Sequence, residues 1–369
     1  MTASPPANPL RYDPSFEVAE EDEQETIERI IESMLKIGET VANDEGHAFR
    51  TVHAKSHGYV IGELEVTAEI PSLYAHGLFA TPGRYPVVMR FSTTPGDLLS
   101  DKVSTPRGVA IKVVGVHGSR VSNSEGDSTQ DFILVDGPTF SAPTAKKFVK
   151  NLKLLAATTD RMPRTKNALS AALRGAESLL EKTGHESASL KSMGGHPATH
   201  ILGETFFSQV PLLYGPYIAK VALVPVAAAL TAHTDEHIEL SGHDDALREA
   251  VLRHFASAGG EWELRVQLCT NLDTMPVEDA SVEWPQDESP YVTVGRVSAQ
   301  PQSTWSQQRV AAIEDGMSFS PWHALAAHRP LGSVNRVRKP VYEAAARFRA
   351  QRNGAQVGEP RSLGRLAET

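Results

Sequence analysis

A tyrosine flanked by arginines near the C-terminus carries the clearest chemistry in this sequence. Tyr342 stands four residues after Arg338 and seven before Arg349. Seven residues make two helical turns, so Tyr342 and Arg349 would share one helix face, with Arg338 within reach of the phenol if the helix begins early enough. A nearby guanidinium lowers the pKa of a phenol by favouring the anion, and a phenolate oxygen can ligate the iron of haem. We therefore predict Tyr342 as a metal ligand that Arg338 helps to ionise.

A second set of chemically capable residues lies in the first third of the chain. His53 follows Arg50 in the segment Arg50-Thr-Val-His53-Ala-Lys, and Arg90 and Ser92 lie in Val87-Val-Met-Arg-Phe-Ser-Thr. Histidine suits proton transfer because its pKa lies near the working pH. Arg90 interrupts an otherwise apolar strand, and a buried arginine needs an anionic partner. These residues predict an acid–base group close to an arginine that binds an anion.

Taken in order, four segments resemble the haem catalases: the His53 motif, the strand of Arg90 and Ser92, Pro106-Arg107-Gly108, and the tyrosine helix. The resemblance reaches from about residue 50 to about residue 349 and implies a small form of the family. It implies that His53 is the distal acid–base residue, with Ser92 fixing its ring. It further implies roles in holding haem for Val52 against the porphyrin face, for Arg50, Arg90 and Arg349 at the propionates, and for Tyr342 on the iron. Phe140 either stacks on the haem or is an ordinary core residue.

Two departures from the family pattern alter the expected chemistry. The position of the family's distal asparagine is matched by Ser128, with Gln130 two places on. Either residue would serve, but a shorter or displaced donor should weaken oxidation of a second peroxide. Pro340 is the other departure, because proline is tolerated in the first helical turn. A helix that begins there leaves Arg338 just outside it.

The expected function is that of a haem b enzyme that reduces hydrogen peroxide or organic hydroperoxides with an unknown small-molecule reductant. Peroxidase turnover should exceed catalase activity. One alternative is a lipid hydroperoxide isomerase or dehydratase, whose channel would be lined by residues 152–155 and 212–214. Others are a non-catalytic haem-binding protein and a barrel that has lost haem.

Composition narrows the class of protein further. The 369 residues carry a formal net charge of −9, which argues against nucleic-acid binding. No apolar run approaches the ~20 residues of a membrane-spanning helix. The N-terminus lacks the basic and apolar parts of a signal peptide. The single cysteine, Cys269, fits a reducing compartment and is interpreted as a packing residue. We expect a cytoplasmic protein, with a homo-oligomer as a possible state.

The elements that position these residues are expected to form an α+β fold. Closely spaced runs of Val, Ile and aromatic residues favour an antiparallel meander, and many such strands suggest a barrel. The resemblance implies an eight-stranded barrel with surrounding helices. We expect a flexible tail over residues 1–15 and a single domain over 16–369, with a helical segment at about 141–195 capped by Ser141. A helix from Glu23 should stop at Gly38, and the tyrosine helix should stop at Gly354.

Overall fold

The computed structural model of the chain describes residues 5–6, 8–158, 196–240, 242–364 and 366. Within this part of the chain nine strands form one antiparallel sheet: β1 Ser56–Val66, β2 Gly83–Thr93, β3 Arg107–Val114, β4 Thr129–Val135, β5 Phe206–Phe207, β6 Leu212–Tyr214, β7 Tyr217–Pro225, β8 Gly260–Leu268 and β9 Val292–Ala299. Their order is β5-β4-β3-β2-β1-β9-β8-β7-β6, and β5 also pairs with β7. Eight strands thus close into a barrel, and β6 is an extra strand beside β7. The predicted eight-stranded barrel is confirmed.

The register of three neighbouring strands brings small and charged residues to the outside of the barrel. Ser92 pairs with Gly108 and Arg90 with Ala110, while Ala110 pairs in turn with Ile133. The residues between them along the strands, such as Phe91, Val109 and Leu134, belong to the main hydrophobic core. Because successive side chains of a strand point to opposite faces, Arg90 and Ser92 face outward with Gly108 and Ala110.

The helices are α1 Glu23–Glu45, α2 Ala145–Thr158, α3 Ala228–Thr231, α4 Ala246–Phe255, α5 Gln307–Arg309 and α6 Gly332–Asn353, and a π-helix, Val310–Asp315, follows α5. Helices α1 and α6 lie against this outer face and α2 packs on them, whereas Leu230 of α3 and Leu247 of α4 belong to the main hydrophobic core. Shorter 3-10 turns lie at Pro14–Phe16, Ser72–Tyr74, Gly77–Phe79, Ile201–Gly203 and Ala326–His328. Ile37 of α1, Leu152 of α2 and Val341 of α6 belong to one buried cluster. No helix in the described ranges is both long and apolar enough to span a bilayer.

Helix α1 does not stop at Gly38 as predicted. It continues to Glu45 and ends at Gly46, whose φ of 70° is the left-handed conformation that favours glycine. Gly38 has a packing role instead. A Cβ atom there would lie 2.9 Å from Thr51 Cγ2 and 3.0 Å from Phe348 Cε1. The missing side chain therefore lets α1 approach α6 closely.

Helix α6 begins eight residues before the predicted start, and Pro340 lies inside it. Proline removes the backbone hydrogen bond to the carbonyl of Arg336, which is a cost inside a helix. Tertiary contacts stabilise the turns before it: Val334 and Val337 are buried, and Arg336 forms ion pairs with Glu17, Glu23 and Glu278. The predicted end is confirmed, because Gly354 closes the helix with a φ of 62°.

The predictions for the two flanking segments need correction. The Leu10 N–H donates to the Cys269 carbonyl at 2.7 Å and the Tyr12 N–H to the Pro216 carbonyl at 2.9 Å, so residues 10–12 are attached to the barrel rather than flexible. Thr144, not Ser141, is the residue whose hydroxyl accepts a hydrogen bond from the first turn of α2. Most of the predicted helical segment, residues 159–195, lies outside the described residues. Cys269 is buried and free, as expected of a packing residue.

Candidate functional site

A cavity lies between the outer face of the barrel and helices α1 and α6. Its wall is mostly apolar, with three arginines, a histidine and a tyrosine among it. The lining residues are Met34, Arg50, Thr51, Val52, His53, Arg90, Ser92, Gly108, Val109, Ala110, Ile133, Leu134, Ser318, Phe319, Val341, Tyr342, Ala345, Ala346 and Arg349. The structure thus brings together His53, Ser92, Val52, Arg50, Arg90, Arg349 and Tyr342, all predicted as site residues.

The His53 backbone is fixed in an unusual conformation. Its φ is 52°, a left-handed value that is rare for residues other than glycine. The His53 N–H donates to the Thr94 carbonyl at 2.9 Å, and the His53 carbonyl accepts from Arg90 Nη2 at 2.7 Å. Such strain persists only where surrounding contacts determine it, and it is concentrated at functional sites.

The His53 ring is positioned by two residues on neighbouring strands. Nδ1 lies 3.0 Å from Ser92 Oγ, so the serine hydroxyl can fix the tautomer. Gly108, paired with Ser92 on the next strand, supplies the space: a Cβ atom there would lie 2.5 Å from His53 Cε1 and 2.8 Å from Nδ1. This contact gives a physical reason for glycine after Pro106-Arg107.

Burial and nearby guanidiniums keep His53 neutral. Burial, then the positive charge of Arg90, lowers the pKa of His53 from 6.5 to about 3. The imidazole is therefore unprotonated at neutral pH, as a proton acceptor must be.

Three arginines form one edge of the cavity, and Glu314 lies behind two of them. Its carboxylate accepts from Arg90 Nε at 2.9 Å and Nη2 at 3.1 Å and from Arg50 Nη1. Ser56 Oγ and the Tyr59 hydroxyl also donate to it, at 2.6 and 2.8 Å. Glu314 is 3% exposed and does not line the cavity, so it fixes the two guanidiniums from behind. It belongs to the π-helix Val310–Asp315.

The arginine edge carries more positive charge than Glu314 neutralises. Arg349 donates from Nη2 to the Met317 carbonyl at 2.8 Å, yet its buried Nη1 has no hydrogen-bond partner among the described residues. Burial, then the charge of Arg90, lowers the pKa of Arg50, and burial lowers those of Arg90 and Arg349 to about 10. The Arg50 and Arg90 guanidiniums contact Glu314, and the negative charge of Asp315 acts on Arg50 and Arg349 from further away. Two carboxylates near three guanidiniums leave a net positive charge. The edge is therefore suited to a ligand with two carboxylates.

Tyr342 reaches the cavity from α6, on the same helix face as Val341, Ala345 and Ala346. The small alanines leave room for a flat ligand against the helix. Arg338 lies one turn earlier than Tyr342. Because α6 begins at Gly332, Arg338 is inside the helix. It does not line this cavity, however: its Nη1 donates to Asn335 Oδ1 at 3.3 Å, and its guanidinium lies 5.9 Å from the centre of the Phe140 ring.

Besides Arg338, three predicted site residues lie outside the cavity. Phe140 packs against Val210, Ala280 and Val334, because the backbone N–H of Phe140 is bound to the Ala280 carbonyl away from the cavity. The other two, Gln130 and Ser128, lie on or beside β4 at positions that do not face the cavity. The side chain of Gln130 is buried, where it accepts from the Leu325 N–H at 2.9 Å and donates to the Asp131 carbonyl.

Ser128 lies at the far end of β4 from His53. Its carbonyl accepts from the N–H groups of Gly115 and Val116 in the turn between β3 and β4. Ser92 and Gly108 are level with Val135, so Ser128 is seven residues, roughly 20 Å, along the strand. Neither candidate for the missing distal amide lines the cavity. Among the described residues that do, none carries a side-chain amide.

Sequence reasoning missed Glu314. The need of Arg90 for an anionic partner was apparent from its apolar strand, but the partner was expected to be a ligand. A glutamate within Val310-Ala-Ala-Ile-Glu314 follows a run of apolar residues, which is a weak signal of burial.

Comparison with known proteins gives a consistent result. The family model described as Catalase matches residues 39–314, three quarters of the chain, and its match ends before Tyr342. The fold is similar to that of a fungal catalase, with a TM-score of 0.56 and 19% identity over 88% of this chain and 66% of that one. Catalase A from Saccharomyces cerevisiae gives a TM-score of 0.53 and 19% identity, covering 86% of this chain and 62% of that one. A bacterial catalase gives 0.53 and 19%, covering 88% and 63%. The chain thus spans slightly less than two thirds of the length of these proteins.

Proposed function

This chain belongs to the catalase family, and from that premise we propose that its cavity holds haem b and reduces hydrogen peroxide or organic hydroperoxides to water or alcohols. Membership of the family implies a haem cofactor. One observation carries the proposal: a neutral histidine and a tyrosine from different elements line one apolar cavity whose edge has three arginines and a net positive charge.

The residues present fit a haem. Arg349, with its unpartnered Nη1, and the cavity-lining Arg50 and Arg90 are suited to the two propionates. The apolar wall of Ile133, Val52 and the α6 alanines is suited to the porphyrin faces. The Tyr342 oxygen would ligate the iron, a role that tyrosine has in catalase. Arg338, one helical turn before Tyr342, contacts Asn335 and Phe140, and its role at the phenol stays a prediction from the sequence.

The chemistry of the protein is proton transfer at His53. When bound, the haem supplies an iron that takes up the oxidising equivalents of the peroxide. His53 Nε2 accepts the proton of the bound peroxide and returns it to the outer oxygen, which leaves as water or alcohol. For Nε2 to be free, Nδ1 must carry the hydrogen and donate to Ser92 Oγ, which lies within hydrogen-bond distance at 3.0 Å. Thr51 and Val52 continue the wall beside the ring.

We also propose that peroxidase turnover exceeds dismutation of hydrogen peroxide. Dismutation requires a second peroxide to be positioned and oxidised, and a distal amide helps to bind it in the larger catalases. Ser128 and Gln130 lie outside the cavity, and its described lining offers no amide. Reduction by an external donor does not need that group.

The lipid hydroperoxide alternative receives no support from the residues suggested for its channel. Leu152 packs against α1 and α6 in the helical cluster, and Leu212 and Leu213 pair with β7. None of these residues lines the cavity. A cytoplasmic location and a homo-oligomer remain predictions from the sequence.

The test is a comparison of four purified proteins prepared with haem: the wild type, two site variants and a control variant. The wild type should show a Soret band that shifts on adding hydrogen peroxide. His53→Ala should keep the band and lose most of the shift, whereas Tyr342→Phe should alter the band or release haem. His117→Ala, at an exposed position, is the matched control for the histidine. A wild type that binds haem without reacting with peroxide would instead indicate a haem carrier.

A further inference from the structure

An aromatic pair connects the back of the arginine edge with the protein surface. The rings of Tyr59 and Trp305 are stacked, with centroids 5.1 Å apart and planes inclined by 24°. Tyr59 is 1% exposed, whereas Trp305 is only partly buried. The guanidinium of Arg248 covers the indole at 3.9 Å. The pair therefore runs from a buried phenol to an indole that solvent can reach.

A continuous series of contacts joins this pair to the cavity. The Tyr59 hydroxyl donates to Glu314 Oε2 at 2.8 Å, and the same oxygen accepts from Arg90 Nε at 2.9 Å. Arg90 lines the cavity. The phenol of Tyr59 thus has a carboxylate positioned to accept its proton, one residue away from the cavity wall.

We infer that Trp305 is the surface site at which a one-electron reductant is oxidised, with Tyr59 relaying the electron inward. This rests on the proposed function, because a haem that has reduced a peroxide must regain two electrons. Tyr59 loses one electron toward the cavity and its phenolic proton to Glu314 Oε2. Trp305 returns an electron to Tyr59 as that proton moves back, and an external donor then reduces Trp305. Two donor molecules each lose one electron per peroxide, and solvent supplies the two protons that the peroxide oxygens take up.

The chemistry of the site indicates the class of donor. Tyr59 and Arg248 lie against the Trp305 ring, so a donor meets the exposed edge of the indole, where aromatic phenols and amines can pack edge-to-face. Such a donor need not enter the cavity, so its size would not be limited by the apolar wall. The unknown reductant of this protein would then be a bulky aromatic one-electron donor.

The other tryptophans do not offer this route. Trp262 and Trp284 are buried. Trp322 is partly exposed like Trp305, and Lys339 lies 6.0 Å from its ring centre, but its Nε1 donates to the Asn335 carbonyl. Its hydrogen bonds and ring contacts in the described structure do not reach a residue that lines the cavity. It is therefore a matched control for Trp305.

The experiment uses haem-loaded protein, hydrogen peroxide and the aromatic dye ABTS as donor. Trp305→Phe and Tyr59→Phe should each lose most ABTS oxidation. After peroxide is added, electron paramagnetic resonance should show a persistent tyrosyl radical in Trp305→Phe and loss of most of the organic radical in Tyr59→Phe. Trp305→Tyr, which restores an oxidisable ring, should recover ABTS oxidation. Trp322→Phe should behave as the wild type. The initial Soret shift with peroxide should be unchanged in every variant.

The outcomes separate this inference from the proposed function. If the Soret shift occurs but Trp305→Phe oxidises ABTS as fast as the wild type, the relay is wrong and the peroxidase proposal survives. Equal losses in Trp305→Phe and Trp322→Phe, or a Trp305→Tyr variant as inactive as Trp305→Phe, would also overturn it, because these results indicate a structural effect. If the wild type shows no shift with peroxide, both proposals fail.

Discussion

Replacing Glu314 by glutamine tests the charge balance of the arginine edge. The carboxylate contacts Arg50 and Arg90 in a site where all three side chains are largely buried, with exposures of 15%, 2% and 4% for Arg50, Arg90 and Glu314. Glutamine keeps the shape but has one acceptor oxygen, and its NH₂ group would face guanidinium donors. Removing one partner of a buried ion pair costs about 3–5 kcal/mol. We expect Glu314→Gln to lower the free energy of unfolding of the haem-free protein by about that amount.

Haem should reduce this loss, because its two carboxylates would bring negative charge to the same arginines. The assay is urea unfolding of haem-free and haem-loaded protein, monitored by circular dichroism. The control is Glu63→Gln, whose ion pair with Arg84 is on the surface and should contribute about 1 kcal/mol or less. A loss for Glu314→Gln no larger than that of the control would refute the inferred role of Glu314. An equal loss with and without haem would refute the charge balance.

Three further outcomes are expected. Gly108→Ala should displace the His53 ring and lower the rate of the Soret shift with peroxide while haem binding is kept, whereas Gly126→Ala, with no atom near the added carbon, should have no effect. Arg349→Met should weaken haem binding by about 1.5–3 kcal/mol, measured by haem titration, and lower the stability of the haem-free protein by only about 1 kcal/mol, because Nη2 loses one hydrogen bond to the Met317 carbonyl while Nη1 has no partner to lose. The pKa of His53 is about 3 in the folded protein and 6.5 in the unfolded chain, so between these values only the unfolded chain binds the proton. The free energy of unfolding should therefore fall as the pH is lowered through that window, and it should fall less in His53→Gln.

The sequence was sufficient to predict those features of the fold and the site that depend on the local pattern of residues. The strands around Arg90 and Gly108 have strong β-forming residues, and His53, Ser92 and Arg349 lie where motif order and helical spacing predicted them. The stop at Gly354 followed from the conformational freedom of glycine. In these cases the nearest neighbours along the chain determine the outcome.

The errors arose where tertiary contacts override local preference. Gly38 continues a helix because α6 requires close approach, and α6 passes through Pro340 because Arg336 is held by three carboxylates. Ser128 and Gln130 were misplaced because strand register, which sequence does not reveal, sets which residues of β4 are level with His53. Glu314 was missed because its partners are more than 200 residues away.

The two walls of the cavity are far apart in the sequence. One wall is built from residues 50–134 and the other mainly from residues 318–349, in addition to Met34. During synthesis the first wall leaves the ribosome well before its counterpart. A cofactor retained by both walls can therefore be held only after α6 has emerged, and a nascent chain arrested before α6 would be unable to hold it.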